Sequence, residues 1–484
     1  MGTDILRLEP HAVWRNFHSL TRIPHPSGHE EKIREFVAGF GRKLGLETIV
    51  DEVGNVIIRK PATSGMEERQ GVILQAHLDM VPEKSGGRIH DFARDPIETI
   101  VDGDWVHARG TTLGADNGIG VAAAMAVLES TTLRHGSIEA LFTSEEEAGM
   151  TGAVGLKPDL LKGRILMNLD SEDEGELFIG CAGGLDATMT FSYREERVSA
   201  DYTGFVIRVS GLKGGHSGMD IHLGRGNANK IMNRILCEGR ARYGMLLASI
   251  DGGTLRNAIP RESTATVAVP TANPKTFSGD LSILAGKIKH ELSAADPELC
   301  IEVVPADRPD MVIEEGVVVR LLNALHACPN GVMRMSCDMA NLVETSSNLA
   351  VVSSGHGVVT IKCLLRSSVD SAMEDLRAMI ASLFDLAGAV SVFDGGYPGW
   401  KPNPDSPILK RMQEVYTSKF GKPPGIKAVH AGLECGIIGG TCPSLDMISF
   451  GPTIRYPHSP DEKVNITSVG EFWDFLVETL SMVP

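Results

Sequence analysis

The chain has 484 residues, 42% of them hydrophobic and 22% charged. That balance fits an ordinary globular protein of roughly two to four domains, and it excludes long disorder, a disulfide-dense mini-protein and a coiled-coil rod. The 62 acidic residues outnumber the 46 basic ones for a formal net charge of −16. Such a chain repels phosphate backbones and anionic lipid, so nucleic acid and membrane surfaces are poor partners. Most of the excess reads as solubility, with a remainder that could hold cations.

The first residues, MGTDILRLEPHAVWRNF, lack the basic-then-apolar order of a secretory leader. The longest apolar run, IGVAAAMAVL at 119–128, is far below the ~18–20 residues of a spanning helix. The eight cysteines include no Cys-x-x-Cys pair, so reduced thiols in a cytoplasmic protein are expected.

In chain order, residues 9–22 have helical spacing and are stopped by Pro24 and Pro26. Ser27-x-x-Glu30 has capping-box form ahead of a helix carrying Ile33, Phe36, Val37 and Phe40. Residues 46–50 and 56–58 read as a hairpin around Val53-Gly54-Asn55. Strands at 72–75, 137–143 and 164–169 alternate with helices at 118–128 and near 148–156. That alternation predicts a mostly parallel α/β sheet, resumed after residue 395 by a helix at 407–420, a strand at 447–450 and a helix at 469–482. Between them the chain turns β-rich. Two strand–helix–strand stretches, 263–304 and 358–393, share one order and suggest a duplicated ferredoxin-like unit. The expected organisation is an α/β domain (1–185 and 396–484) interrupted by an α+β domain (186–395).

Five segments place polar residues directly after buried-looking strands, where ligands gather in open α/β sheets. In LQAHLDM, His77 and Asp79 share one side of a strand, and a carboxylate beside an imidazole can orient it as a metal ligand. By itself such a pair is more often an ordinary surface or core contact. In RGTTLGADNGIG the glycines permit a tight turn before a helix, but the run lacks the Gly-Lys-Ser/Thr ending and the Gly-x-Gly-x-x-Gly spacing of phosphate loops. Asp116 at the helix entrance would repel phosphate and suits a cation, or simply caps the helix. The acidic run Glu145-Glu146-Glu147 favours a helix dipole, yet it also lets one carboxylate bind a metal while its neighbour faces water. Asp170 follows another strand, and His458 lies in a proline-ruled loop. Together His77, Asp116, Glu147, Asp170 and His458 form a nitrogen and oxygen donor set without thiolate. It suits zinc first, with manganese or cobalt as alternatives. Five ligands exceed one tetrahedral site and fit two ions if a carboxylate bridges, with Glu146 left to take a proton from an activated water.

These segments, with EEAGM, CAGG, KGGHSG, GGTLRNAIPRE, PNGV, HAGLECG and GP…PHSPDE, run the length of the chain. They resemble the cocatalytic-zinc family of aminoacylases, dipeptidases and carboxypeptidases. The resemblance implies a zinc-exopeptidase-like catalytic domain with the inserted domain as a lid. It implies one ion held by His77 and Asp170, a second by Glu147 and His458, and Asp116 bridging. Asp79 would orient His77, and Glu146 would be the general base. His216 would stabilise the oxyanion, while Asn257 and Arg366 would bind the substrate carboxylate. His430 and Glu434 would line the pocket. Three glutamates stand where relatives commonly show two, so the pair is Glu145/Glu146 or Glu146/Glu147, and the following Ala148-Gly149 selects the latter. His25, His29 and His135 read as surface residues, with His222 open. The implied activity is hydrolysis of dipeptides, Xaa-His types included. An aminoacylase on the same site and a non-catalytic peptide-binding scaffold are the alternatives; a phosphatase is disfavoured by the lack of an inner lysine or arginine. A homodimer is open, and a duplicated lid would let one chain supply contacts that single-lid relatives take from a partner.

Overall fold

A computed structural model describes residues 4–272 and 274–484. Their backbone packs into two compact units. The first comprises the chain up to Cys181 with Trp400–Ala428 and Leu433–Pro484, and the second Ala182–Gly399 with Val429–Gly432.

The first unit is organised by an eight-stranded sheet in the order Glu47–Val50, Val56–Lys60, Ile138–Thr143, Val72–His77, Ile165–Asn168, Asp446–Ser449, Glu176–Cys181 and Gly425–Val429. Its four central strands, Ile138–Thr143 to Asp446–Ser449, pair in parallel. The hairpin Glu47–Val50/Val56–Lys60 closes one side antiparallel. Three of the central strands, Ile138–Thr143, Val72–His77 and Ile165–Asn168, are buried along their whole length, as parallel strands covered on both faces must be. The helix Ala115–Glu129 is apolar almost all round and correspondingly buried. Its Gly118 lies against Phe17 of the helix His11–Thr21, where a Cβ would come within 2.9 Å of the ring.

Three local expectations fail for identifiable reasons. The capping box does not form: the helix Glu31–Lys43 starts without a side-chain cap, because the Ser27 hydroxyl donates to Asp79 Oδ2 at 2.8 Å instead. The helix expected near 148–156 is two short ones, Glu146–Gly149 and Thr151–Gly155, broken at Met150 with φ 55°. Gly152 is pulled onto the strand end, its N–H on the Ser144 carbonyl (2.9 Å) and its own carbonyl accepting from Asn55 Nδ2 (2.8 Å). His25 and His135 are buried rather than at the surface. Each ring bonds a nearby carbonyl, Ile23 and Gly136 respectively, and burial lowers both pKa values. His29 and His222 are exposed.

The second unit is a nine-stranded antiparallel sheet. Cys300–Ala306, Tyr202–Ser210, Ser263–Pro270 and Leu246–Gly252 are followed in space by Val343–Gly355, Val358–Ser367, Gly183–Ser192 and Val390–Tyr397, with Gly331–Met335 on Val343–Gly355. The first four strands, with helices Ala228–Tyr243 and Pro274–Glu291, run strand–helix–strand–strand–helix–strand in the ferredoxin-like order fourth–first–third–second. The other four, with helices Glu315–Ala327 and Asp370–Leu386, repeat that order. One repeat is nested inside the other, between the strand Gly183–Ser192 and the helix Glu315–Ala327. All four helices feed one core, including Ile235, Phe277, Leu281, Leu321, Ile380 and Phe384.

Candidate metal centre

The carboxyl ends of the four parallel strands bring the distant segments together. His77 ends Val72–His77, Glu146 and Glu147 follow Ile138–Thr143, Asp170 follows Ile165–Asn168, and the chain after Asp446–Ser449 leads to His458. Asp116 reaches the group from the start of Ala115–Glu129, where its backbone and that of Asn117 are non-helical. A Cβ on Gly120 would collide with the Asn117 side chain and the Leu169 carbonyl, so glycine is what lets this turn approach the strand end. Asn117 Nδ2 donates to Asp170 Oδ1.

His77 Nε2 lies 3.1 Å from Asp116 Oδ1 and 3.3 Å from Asp170 Oδ1. His458 Nε2 lies 3.2 Å from Asp116 Oδ2 and 2.9 Å from Glu147 Oε1. Asp116 therefore turns one oxygen to each imidazole. Three groups have ligand atoms within 4.8 Å of one another: His77/Asp116/Asp170, Asp116/Glu147/His458 and His77/Glu146/Glu147. Glu145 belongs to none of them.

Asp79 acts on its surroundings differently from the expectation. The closer partner of His77 Nδ1 is the Asp79 backbone carbonyl at 3.0 Å, with the carboxylate at 3.4 Å. That carbonyl accepts the Nδ1 proton and leaves Nε2 free as a ligand. The carboxylate accepts from the backbone N–H groups of Glu146 (3.0 Å) and Glu147 (3.2 Å) and from the Ser27 hydroxyl (2.8 Å). It thus holds the turn that presents both glutamates.

Charge is strongly unbalanced here. Burial alone would lower His77, yet Asp170, Asp116 and Asp79 hold it well above its ordinary pKa. The Asp116 and Glu147 carboxylates raise His458 to about 11. Burial opposes ionisation of Asp79, but its bond to His77 brings it down to about 2. Burial, reinforced by Asp170, Glu434 and Glu147, pushes Glu146 well up. Burial and the neighbouring Asp116 raise Glu172 to about 9 and Glu462 to about 7. So many carboxylates around two imidazoles form an oxygen and nitrogen donor set short of positive charge. The residues fit divalent cations.

Glu434, expected to line the pocket, is wholly buried. Its Oε2 accepts from Gln75 Nε2 (2.6 Å) and Thr143 Oγ1 (2.7 Å). Gln75 Oε1 accepts from Asn168, whose Oδ1 takes the Ser449 hydroxyl, and Ser449 meets Ser171. This polar chain links the central strands Val72–His77, Ile138–Thr143, Ile165–Asn168 and Asp446–Ser449.

In the second unit, Arg366 is 4% exposed. Its Nε bonds Ser217 Oγ at 3.2 Å and its Nη1 bonds the Tyr397 hydroxyl at 3.4 Å, while Nη2 lies 3.4 Å from His216 Nε2. His216 Nδ1 accepts the N–H groups of Gly218 and Met219, so in the neutral ring Nε2 carries the proton. Two donors then converge. Burial and Arg366 lower the His216 pKa, and burial with Arg366 brings the nearby His430, bonded to Ser346 at 2.7 Å, to about 3. Asn257 is exposed, and its carbonyl accepts from Ser217 N–H at 2.8 Å. The sequence alone assigned no role in the site to Ser27, Asn117, Tyr397 or Glu462. Asn117 and Glu462 stood inside recognised motifs, whereas Ser27 carried the signal of a cap.

A parallel sheet with paired His–carboxylate groups at its carboxyl edge defines a hydrolase-like metal centre, and the comparisons give it a family. The chain belongs to Peptidase family M20/M25/M40, matched over residues 73–481. It is 46% identical over 485 residues to the cytosol non-specific dipeptidase of Escherichia coli (strain K12), covering 100% of this chain and 99% of that protein. The crystal structure of aminoacylhistidine dipeptidase from Vibrio alginolyticus superposes with a TM-score of 0.94 at 46% identity, covering 100% of this chain and 99% of that one. Aminopeptidase PepT from Bacillus cereus ATCC 10987, at 16% identity and TM-score 0.57 over 98% and 99% of the two chains, shares the fold.

Proposed function

We propose that this chain is a cytoplasmic metallo-dipeptidase that cleaves the single peptide bond of free dipeptides, Xaa-His among them. Its cofactor is a pair of divalent cations, zinc first and manganese or cobalt as alternatives. The observation that carries the reading is Asp116, which offers Oδ1 toward His77 and Oδ2 toward His458. His77 and Asp170 would hold one ion, Glu147 and His458 the other, with Asp116 shared. Bound ions would polarise the scissile carbonyl and acidify water. The full-length likeness to two dipeptidases supports the substrate class.

The chain's own groups then divide the work. Glu146, kept basic by burial and its carboxylate neighbours, takes a proton from the attacking water and passes it to the leaving amine. Asp79 holds the Glu146–Glu147 turn and fixes the His77 tautomer through its carbonyl. Arg366 binds the substrate carboxylate, with Asn257 assisting, and His216 Nε2–H donates to the oxygen that gains charge.

Metal analysis beside an assay panel tests this reading. Two ions per chain and hydrolysis of dipeptides, but not of tripeptides or N-acetyl amino acids, are expected. Preference for N-acetyl amino acids would make it an aminoacylase, and ion binding without hydrolysis would make it a binding scaffold.

A further inference from the structure

The helix Ala115–Glu129 begins without a cap of its own. Its N-cap residue, Gly114, has φ 71° and no side chain, yet the first N–H groups of a helix need acceptors when buried. The acceptor comes from 346 residues further along the chain. Glu462 Oε2 accepts from Leu113 N–H (2.7 Å) and Gly114 N–H (3.0 Å), and Oε1 accepts from Ala115 N–H (2.8 Å) and Asp116 N–H (3.3 Å). The side chain is 2% exposed, so no water competes for these four bonds.

Glu462 sits at the base of the loop that carries His458. The strands Ile454–Arg455 and Lys463–Asn465 pair antiparallel, which makes 456–462 a hairpin loop with His458 in it. Lys463–Asn465 also pairs with Trp105–Ala108, the strand that leads into the Asp116 segment. Tyr456 and His458 have φ of 56° and 57°, a left-handed conformation that needs support from outside the loop. The carboxylate thus ties the segment ending in Asp116 to the loop presenting His458. His77, at the end of its own strand, is outside this tie.

We propose that Glu462 is a positioning residue that locks the Asp116 segment and the His458 loop into one unit, so that the ion shared by Asp116, Glu147 and His458 depends on it more than the ion at His77 and Asp170 does. The inference rests on the two-ion reading above. It also predicts that glutamine will not substitute. Each oxygen accepts from two N–H groups, and an amide would turn an NH2 donor toward one of those pairs.

The test is stepwise cobalt titration of the metal-free protein, read by absorption, for wild type, Glu462→Gln, His458→Ala and the double variant. In Glu462→Gln one ion should weaken by about 10–100-fold, and the other by less than about threefold. In the His458→Ala background Glu462→Gln should weaken the remaining ion by no more than that threefold, the part that passes through Asp116. Equal weakening of both ions, an undiminished effect in the His458→Ala background, or no effect at all would overturn the proposal. Should the glutamine variant be insoluble, Glu462→Asp, which keeps the charge and shortens the reach, carries the same measurement. A wild type that binds fewer than two cobalt ions would instead overturn the two-ion reading itself.

Discussion

The carboxylate cluster of the first unit and the arginine cluster of the second leave opposite charges unbalanced. Around His77 and His458 stand Asp79, Asp116, Glu146, Glu147, Asp170 and Glu172, while Arg366 donates to Ser217 and Tyr397, lies beside His216 and has Asp186 as a nearby carboxylate. A solvated surface would tolerate either imbalance. Inside a protein an uncompensated charge costs several kcal/mol, so each cluster reads as a site whose partner arrives from outside. On the proposed reading the first takes cations and the second the substrate carboxylate.

Replacing the shared ligand breaks the first half of that contrast. Asp116→Ala removes an oxygen from both His-containing groups, and it is expected to abolish tight binding of both ions and all measurable hydrolysis. Full metal content by elemental analysis would show that Asp116 is not shared. Arg366→Met attacks the other half. It should lower kcat/KM for dipeptides by roughly 100–1000-fold, the cost of truncating one partner of a buried charge pair. Metal content should hold, and dipeptide amides, which lack the carboxylate, should be nearly indifferent to the substitution. Equal losses on both substrates would make Arg366 structural. Asp79→Asn leaves the ligands in place but replaces an acceptor for the Glu146 and Glu147 N–H groups. A loss of about 10–100-fold in metal affinity is expected by chelator competition.

The smallest effect concerns pH. In the metal-free protein Glu434 and Glu462 are raised to about 7, Glu172 to about 9 and His458 to about 11. Protonated forms are favoured by folding in every case, so their contribution is present below the unfolded values and is lost as pH rises through these folded ones. The histidines lowered by burial (His25, His135, His216, His430) act in the opposite sense but only below about pH 6.5, so metal-free protein should melt at a higher temperature near pH 7 than near pH 9. Saturating zinc should shrink or reverse the difference. A metal-free melting temperature that climbs across that range would contradict the charge imbalance.

The contrast between the two units also marks what could be read beforehand. Strand and helix placement in the first unit was legible because parallel strands are continuous apolar runs, as in Val72–His77, and helices carry their own stops, as in Pro407–Phe420. His77, Asp116, Glu147 and Asp170 were legible because each follows such a strand or opens a helix, and His458 because it lies in a proline-ruled loop. Long-range hydrogen bonds left no such trace. Ser27 looked like a cap until the fold set it beside Asp79. The acceptors of Leu113–Asp116 come from Glu462, far beyond any window of periodicity. Glu434 was visible as part of a motif, but whether it faces substrate or the interior depends on Gln75 and Thr143. The second unit showed its repeated order of elements, while the nesting of one repeat within the other required the sheet itself.

Central to the account is that Glu146 moves the proton while its neighbours hold the ions, and the most direct measurement is metal content and steady-state hydrolysis of Glu146→Gln on the same sample. The account predicts two ions per chain, an ordinary KM and a kcat lower by about 10²–10⁴-fold, the usual contribution of a general base. Near-normal turnover by a variant that retains both ions would contradict it.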